Sequence, residues 1–155
     1  MGISGFYFIT DSGLSCAGNL SDVKNALAAG VKVVQYRNKA ASTRQMFIEA
    51  QALRKLCKKI TFIINDRVDI ALGVNADGVH LGNNDLPYQV ARMLLGRKKL
   101  IGLTVHSIEE AQDAQIDGAD YLGVSAIFAT QTKPDAGKPT GITLIRKIKV
   151  MLSYR

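Results

Sequence analysis

The 155-residue chain is poor in cysteine, has no long apolar run and carries too few acids to balance its bases. Cys16 and Cys57 are its two thiols, and their separation matches no metal-binding spacing. Cys57 is expected in the core on a helix and Cys16 in a loop, with no disulfide between them in a reducing cytosol. Nowhere does the sequence approach the roughly 20 continuous apolar residues of a membrane-spanning helix, so no membrane partner is expected. The start, Met1-Gly2-Ile3-Ser4-Gly5, lacks the basic and apolar segments of a secretory leader. Phe6 also stands where N-myristoylation requires a hydroxyl. These absences predict a cytoplasmic protein.

What is present is an ordinary apolar content of 47% with 20 Lys and Arg against 13 Asp and Glu, a formal charge of +7. At this length one domain with a substantial core, spanning residues 1–155, is expected. The basic excess raises nucleic acid as a partner, but the bases are not interleaved with aromatics and no nucleic-acid motif occurs, so none is expected. Arg54, Lys55, Lys58 and Lys59, then Arg97, Lys98 and Lys99, then Arg146, Lys147 and Lys149 fall on helix flanks or ends. There they are solvated or oppose the negative pole of a helix. Steering of small phosphorylated substrates is the better use of the excess.

Strand and helix patterns alternate. Phe6–Thr10, Val31–Tyr36, Phe62–Asn65, Val79–Leu81, Leu100–Val105 and Tyr121–Ser125 read as strands. Leu20–Ala29 reads as a helix ended by Gly30. Ser42 opens the next with Gln45 as its capping-box partner, and Met46, Ala50, Leu53 and Cys57 form its buried stripe. Val68–Gly73, Pro87–Leu95, a helix opened by a second capping box of Ser107 and Glu110, and a last one from about Ile142 to Leu152 complete the set. In the fifth, Ala111 and Ala114 face inward. A faint repeat, Ala76-Asp77-Gly78 and Gly118-Ala119-Asp120, marks helix-to-strand junctions. Strict alternation means a parallel sheet with right-handed crossovers.

Chemistry gathers where strands end. Thr61-Phe62-Ile63-Ile64 breaks into Asn65-Asp66, and Gly78-Val79-His80-Leu81-Gly82 into Asn83-Asn84-Asp85. Two acids at neighbouring strand ends can share one hard cation, usually Mg²⁺. The second strand ends in Gln35, Arg37 and Lys39, cations suited to a diphosphate beside that metal. The fifth offers Thr104 and His106, the sixth Thr130, Thr132 and Lys133. An open doubly wound sheet loads only the loops at its switch point, whereas a barrel loads every strand end. The convergence favours the barrel, although a closed one needs about 200 residues. His80 reads as a packed or backbone-bonded residue, His106 as the functional histidine, and Tyr36 as a packing residue.

Jointly, Gln35-Tyr36-Arg37-Asn38-Lys39, Ile64-Asn65-Asp66-Arg67-Val68-Asp69, Ala76-Asp77-Gly78-Val79-His80-Leu81-Gly82, Gly118-Ala119-Asp120-Tyr121-Leu122-Gly123 and Thr130-Gln131-Thr132-Lys133 resemble the thiamine-phosphate synthase family. The resemblance implies a TIM-barrel (β/α) repeat, incomplete here, with about six of eight strand–helix units. It implies joining of 4-amino-2-methyl-5-hydroxymethylpyrimidine diphosphate to 4-methyl-5-(2-hydroxyethyl)thiazole phosphate, with release of pyrophosphate and Mg²⁺ as cofactor. It assigns Gln35, Arg37 and Lys39, helped by Asn65 and Lys133, to the pyrimidine diphosphate. Asp66 and Asp85 take the metal. Thr130, Gln131 and Thr132 contact the thiazole phosphate, and Thr104 contacts substrate. Arg37, Lys39 and Lys133 would carry catalysis by stabilising the departing charge. The family habit and an uncovered sheet edge point to a homo-oligomer.

Thr104 stands where the family usually has Ser, and Ser125-Ala126 where it has Gly-Pro. The chain stops at Ser153-Tyr154-Arg155 where family members continue through two more units, so weak or no synthase activity is expected of it alone. The sister thiazole tautomerase, and a non-catalytic phosphate-binding relic, are the alternatives. Retention of Asn65-Asp66 and Asp85 favours the synthase pattern over the tautomerase.

Overall fold

The computed structural model describes residues 3–130 and 138–153. Its strands are β1 (Tyr7–Ile9), β2 (Val33–Tyr36), β3 (Thr61–Asn65), β4 (Gly78–Leu81), β5 (Leu100–Val105) and β6 (Tyr121–Val124). Between and after them run α1 (Asn19–Ala28), α2 (Thr43–Leu56), α3 (Val68–Gly73), α4 (Tyr88–Leu95), α5 (Ile108–Asp117) and α6 (Gly141–Ser153). The six strands are all parallel and lie in chain order, β1 and β6 at the two edges. A flat sheet would hold β1 and β6 roughly 24 Å apart. Instead the Tyr7 and Tyr121 hydroxyls are 3.0 Å from each other, so the sheet is curled into a half-barrel. No helix among the described residues is long and apolar enough to cross a membrane.

Strand periodicity divides the side chains between two environments. Val34, Tyr36, Phe62, Ile64, Val79, Leu81 and Ile101 turn outward and join Met46, Ala50, Leu53 and Cys57 of the α2 stripe in the main core. A smaller core of Val105, Ala111, Ala114 and Ile148 is shared by β5, α5 and α6. At the C-terminal ends of the strands polar side chains, together with Ile9, Leu122 and Val124, line a hollow. Cys57 is buried, Cys16 is exposed, and both are free.

Local signals explain most element ends. The Ser42–Gln45 capping box is complete: the Gln45 amide N–H donates to Ser42 Oγ, and the Ser42 N–H donates to Gln45 Oε1 at 2.9 Å. The second box is only half formed. Ser107 Oγ accepts from the Glu110 N–H, but the Glu110 carboxylate accepts instead from the His106 N–H at 2.7 Å. Pro87 caps α4 from just outside it rather than occupying its first turn. Gly118 ends α5 in the left-handed region at φ 91°, a conformation open to glycine at no steric cost.

The sequence repeat at Asp77 and Asp120 is a structural repeat. Asp77, just before β4, accepts from the Phe62 N–H of β3 at 2.8 Å and from both guanidinium ends of Arg54 on α2. Asp120, just before β6, accepts from the Ile101 N–H of β5 at 2.7 Å and from Arg92 on α4 at 2.6 Å. Each acid thus latches a helix end to the second residue of the following strand. The latch recurs every two strand–helix units at the base of the sheet.

Candidate active site

The hollow is a cavity of about 760 Å³ at the C-terminal ends of the strands, lined by side chains from all six of them and from the loops beyond. Gln35, Arg37, Lys39, Asn65, Asp66, Asp85, Thr104 and His106 all reach it. Parallel register makes this convergence automatic: Gln35 lies beside Ile63, Asn65 beside His80, His80 beside Gly102, and Thr104 beside Gly123. Residues of like parity on successive strands therefore share one level of one wall.

At the mouth Asp66 and Asp85 line the same cavity, close enough for each carboxyl to feel the other. Burial, then the hydrogen bond and negative charge of Asp85, push the Asp66 carboxyl up to about 6, while Lys39 opposes the rise. Lys39 Nζ stands 3.6 Å from Asp66 Oδ2. Asp66 has φ 63°, a left-handed turn that Asp tolerates, and its N–H donates to the His80 carbonyl at 2.8 Å. Asp85 Oδ2 accepts from the Gly82 N–H at 2.7 Å, which fixes its direction. Two carboxylates held together against their mutual repulsion suit a hard divalent cation. Among the described residues no group of three or more His, Cys, Asp or Glu forms a closed metal cage. Two carboxylates leaving open positions is how Mg²⁺ is held when substrate phosphates complete its shell.

Arg37 is held on the cavity wall by a residue that sequence reasoning missed. Its Nη1 donates to Asp11 Oδ2 at 2.7 Å, and its backbone N–H donates to Thr10 Oγ1 at 2.9 Å. Thr10 is completely buried. The signal was the polar pair Thr10-Asp11 at the end of β1, in the register of the other loaded strand ends.

Both histidines line the cavity, although only His106 was expected there. The His80 ring lies against the Tyr121 ring, with centroids 5.4 Å apart, and meets polar side chains through both nitrogens. Its Nδ1 lies 3.2 Å from the Tyr121 hydroxyl and its Nε2 2.9 Å from Thr104 Oγ1, inside the cavity. The inward parity of position 80 overrides the apolar character of the strand. His106 also lines the cavity, with its Nδ1 3.1 Å from Glu110 Oε2. Tyr36 is fully buried as expected, and its hydroxyl donates to Glu49 at 2.6 Å. Tyr7 and Tyr121 were not singled out from the sequence, yet their rings are 6.1 Å apart and form the cavity floor with His80.

Glycines make this floor possible by their size. A Cβ on Gly102 would lie 2.1 Å from the Tyr121 ring, and one on Gly123 would lie 2.9 Å from the His80 ring. Thr130 is exposed and lies outside the cavity lining. Gln131, Thr132 and Lys133 fall outside the described residues.

Residues 6–155 match the family model described as thiamine monophosphate synthase. The thiamine-phosphate synthase of Methanosarcina mazei is 53% identical over 145 residues, which cover 93% of this chain and 60% of that protein. The one from Chloroflexus aurantiacus is 50% identical over 150 residues, covering 95% of this chain and 69% of the relative. A solved structure, thiamine phosphate pyrophosphorylase from Pyrococcus furiosus, superposes with a TM-score of 0.83 at 41% identity, covering 92% of this chain and 67% of that one.

Proposed function

The chain belongs to the thiamine monophosphate synthase family, and from that premise we propose that it is a cytoplasmic transferase. Its reaction condenses the pyrimidine diphosphate with the thiazole phosphate to give thiamine phosphate and pyrophosphate. The observation that carries the reading is the gathering of Asp66, Asp85, Arg37 and Lys39 around one cavity, with Lys39 Nζ 3.6 Å from Asp66 Oδ2.

The residue types suit that chemistry. Arg37 and Lys39 bind the diphosphate and hold positive charge against its oxygens as the carbon–oxygen bond breaks. Asp66 and Asp85 hold Mg²⁺, which when bound supplies further charge neutralisation to the leaving group. Gln35 and Asn65 orient the diphosphate-bearing fragment, and Lys133 adds a further cation. The Tyr7, Tyr121 and His80 rings keep water from the electron-poor carbon until the thiazole nitrogen attacks it. Thr130, Gln131 and Thr132 contact the thiazole phosphate.

The test is incubation with both substrates and Mg²⁺, reading pyrophosphate and thiamine phosphate together. Equimolar appearance of the two supports the synthase. Isomerisation of a thiazole phosphate without pyrophosphate makes the protein a tautomerase instead. Mg²⁺-dependent diphosphate binding without turnover reduces the reading to a phosphate-binding protein.

A further inference from the structure

Five side chains from five strands form one continuous hydrogen-bonded chain across the cavity floor. Gln35 Nε2 lies 2.8 Å from the Tyr7 hydroxyl, which lies 3.0 Å from that of Tyr121. Tyr121 reaches His80 Nδ1 at 3.2 Å, and His80 Nε2 reaches Thr104 Oγ1 at 2.9 Å. Burial raises both phenols above their ordinary range, so each keeps its proton.

Such a chain has only two self-consistent directions. The Gln35 amide presents its N–H to Tyr7 and therefore occupies the acceptor site of that phenol. Tyr7 must then send its own proton to Tyr121, and Tyr121 sends its proton to His80 Nδ1. A ring nitrogen that accepts carries no proton, which leaves the proton of a neutral imidazole on Nε2. That N–H donates to Thr104 Oγ1, and the threonine hydroxyl proton is left pointing onward. In this direction every proton before that of Thr104 meets an acceptor and successive bonds polarise one another.

We infer that Gln35, Tyr7, Tyr121 and His80 act as a one-way relay that fixes His80 as its Nε2–H tautomer and makes the Thr104 hydroxyl a donor to an acceptor atom of the bound ligand. Tyr7, Tyr121 and His80 are thus positioning residues, acting through Thr104. The ligand part of the inference rests on the proposed function; the tautomer does not. The acceptor is a phosphate oxygen or a ring nitrogen of a phosphorylated heteroaromatic.

The chain has only two histidines, so His106→Gln leaves His80 as the sole ring in a ¹⁵N spectrum. The expected spectrum shows Nδ1 unprotonated and Nε2 protonated; a protonated Nδ1 in the neutral ring overturns the relay. Tyr121→Phe removes the donor to Nδ1 and is expected to give a mixture of both tautomers, and an unchanged tautomer overturns the coupling. In binding measurements with Mg²⁺, Thr104→Val is expected to weaken the ligand about tenfold, the worth of one lost hydrogen bond, while Thr104→Ser retains affinity. Weakening of both inorganic pyrophosphate and the pyrimidine diphosphate places the acceptor on phosphate. Weakening of the pyrimidine diphosphate alone places it on the ring, and no weakening of either overturns the donor role. If the unsubstituted protein binds neither probe, the proposed function fails while the tautomer result stands.

Discussion

Asp66 makes the cavity mouth sensitive to pH with a definite sign. Its folded value is raised to about 6, above the ordinary carboxyl range, chiefly by burial and then by Asp85. A raised acid contributes stability that is fully present at low pH and lost as pH climbs through that value. Asp66→Asn should therefore gain thermal stability relative to the unsubstituted protein between about pH 4 and 7, measured without metal. The same substitution should abolish stabilisation by Mg²⁺, which should itself strengthen as pH rises past 6 in the unsubstituted protein. A melting series with and without Mg²⁺ reads both, and an Asp66→Asn protein still stabilised by Mg²⁺ would place the metal elsewhere. Arg37 offers a second test. Asp11→Asn leaves its guanidinium without a charged partner, so its orientation relaxes; pyrophosphate affinity should change severalfold, and Asp11→Glu should restore it in part. At this scale the sequence identified the charged groups, because Asp, Arg and Lys at strand ends announce themselves. It misjudged His80, because an imidazole within Val79-His80-Leu81 looks like core until the inward direction of position 80 is known.

Among the elements, the two latches govern how each strand pair is set against its helix. Asp77→Ala or Asp120→Ala strands a β-strand N–H and removes the arginine's carboxylate partner, and each should cost about 2 kcal/mol in urea unfolding. Arg54→Ala should cost less than Asp77→Ala, since the acid still accepts from Phe62 and the ion pair is part exposed. Equal losses for acid and arginine would show that the ion pair, not the strand contact, dominates. Gly102→Ala drives a methyl into the Tyr121 ring and should cost roughly 1–3 kcal/mol while disordering the cavity floor. The helices were legible because caps and apolar stripes are local signals; α2 follows Ser42, Gln45, Met46, Ala50 and Leu53 residue by residue. Strand ends such as Phe6 and Thr10 fall outside β1 because pairing with β2, a non-local event, decides where a strand stops. The Glu110 half of the second box failed for a local reason: the His106 N–H, four residues away, competes for the same carboxylate.

Taken as a whole, the molecule carries a formal +7 and concentrates working cations around one opening. Association with a diphosphate should slow and weaken severalfold as salt rises from about 0.05 to about 0.5 M, since exposed charges beyond a Debye length are then screened. Stopped-flow mixing with pyrophosphate measures this, and a salt-independent rate would remove steering from the account. Alternation of strands and helices made the parallel sheet readable, and the loading of successive strand ends made its curl readable. The meeting of the first and last strands was not, because no local pattern says that Tyr7 and Tyr121 will touch. That meeting has an optical consequence. The chain contains five tyrosines and no tryptophan, so its intrinsic emission comes from phenols alone. Two of the five emitters sit side by side on the cavity floor, so a ligand entering the cavity should change the ultraviolet fluorescence with no dye attached.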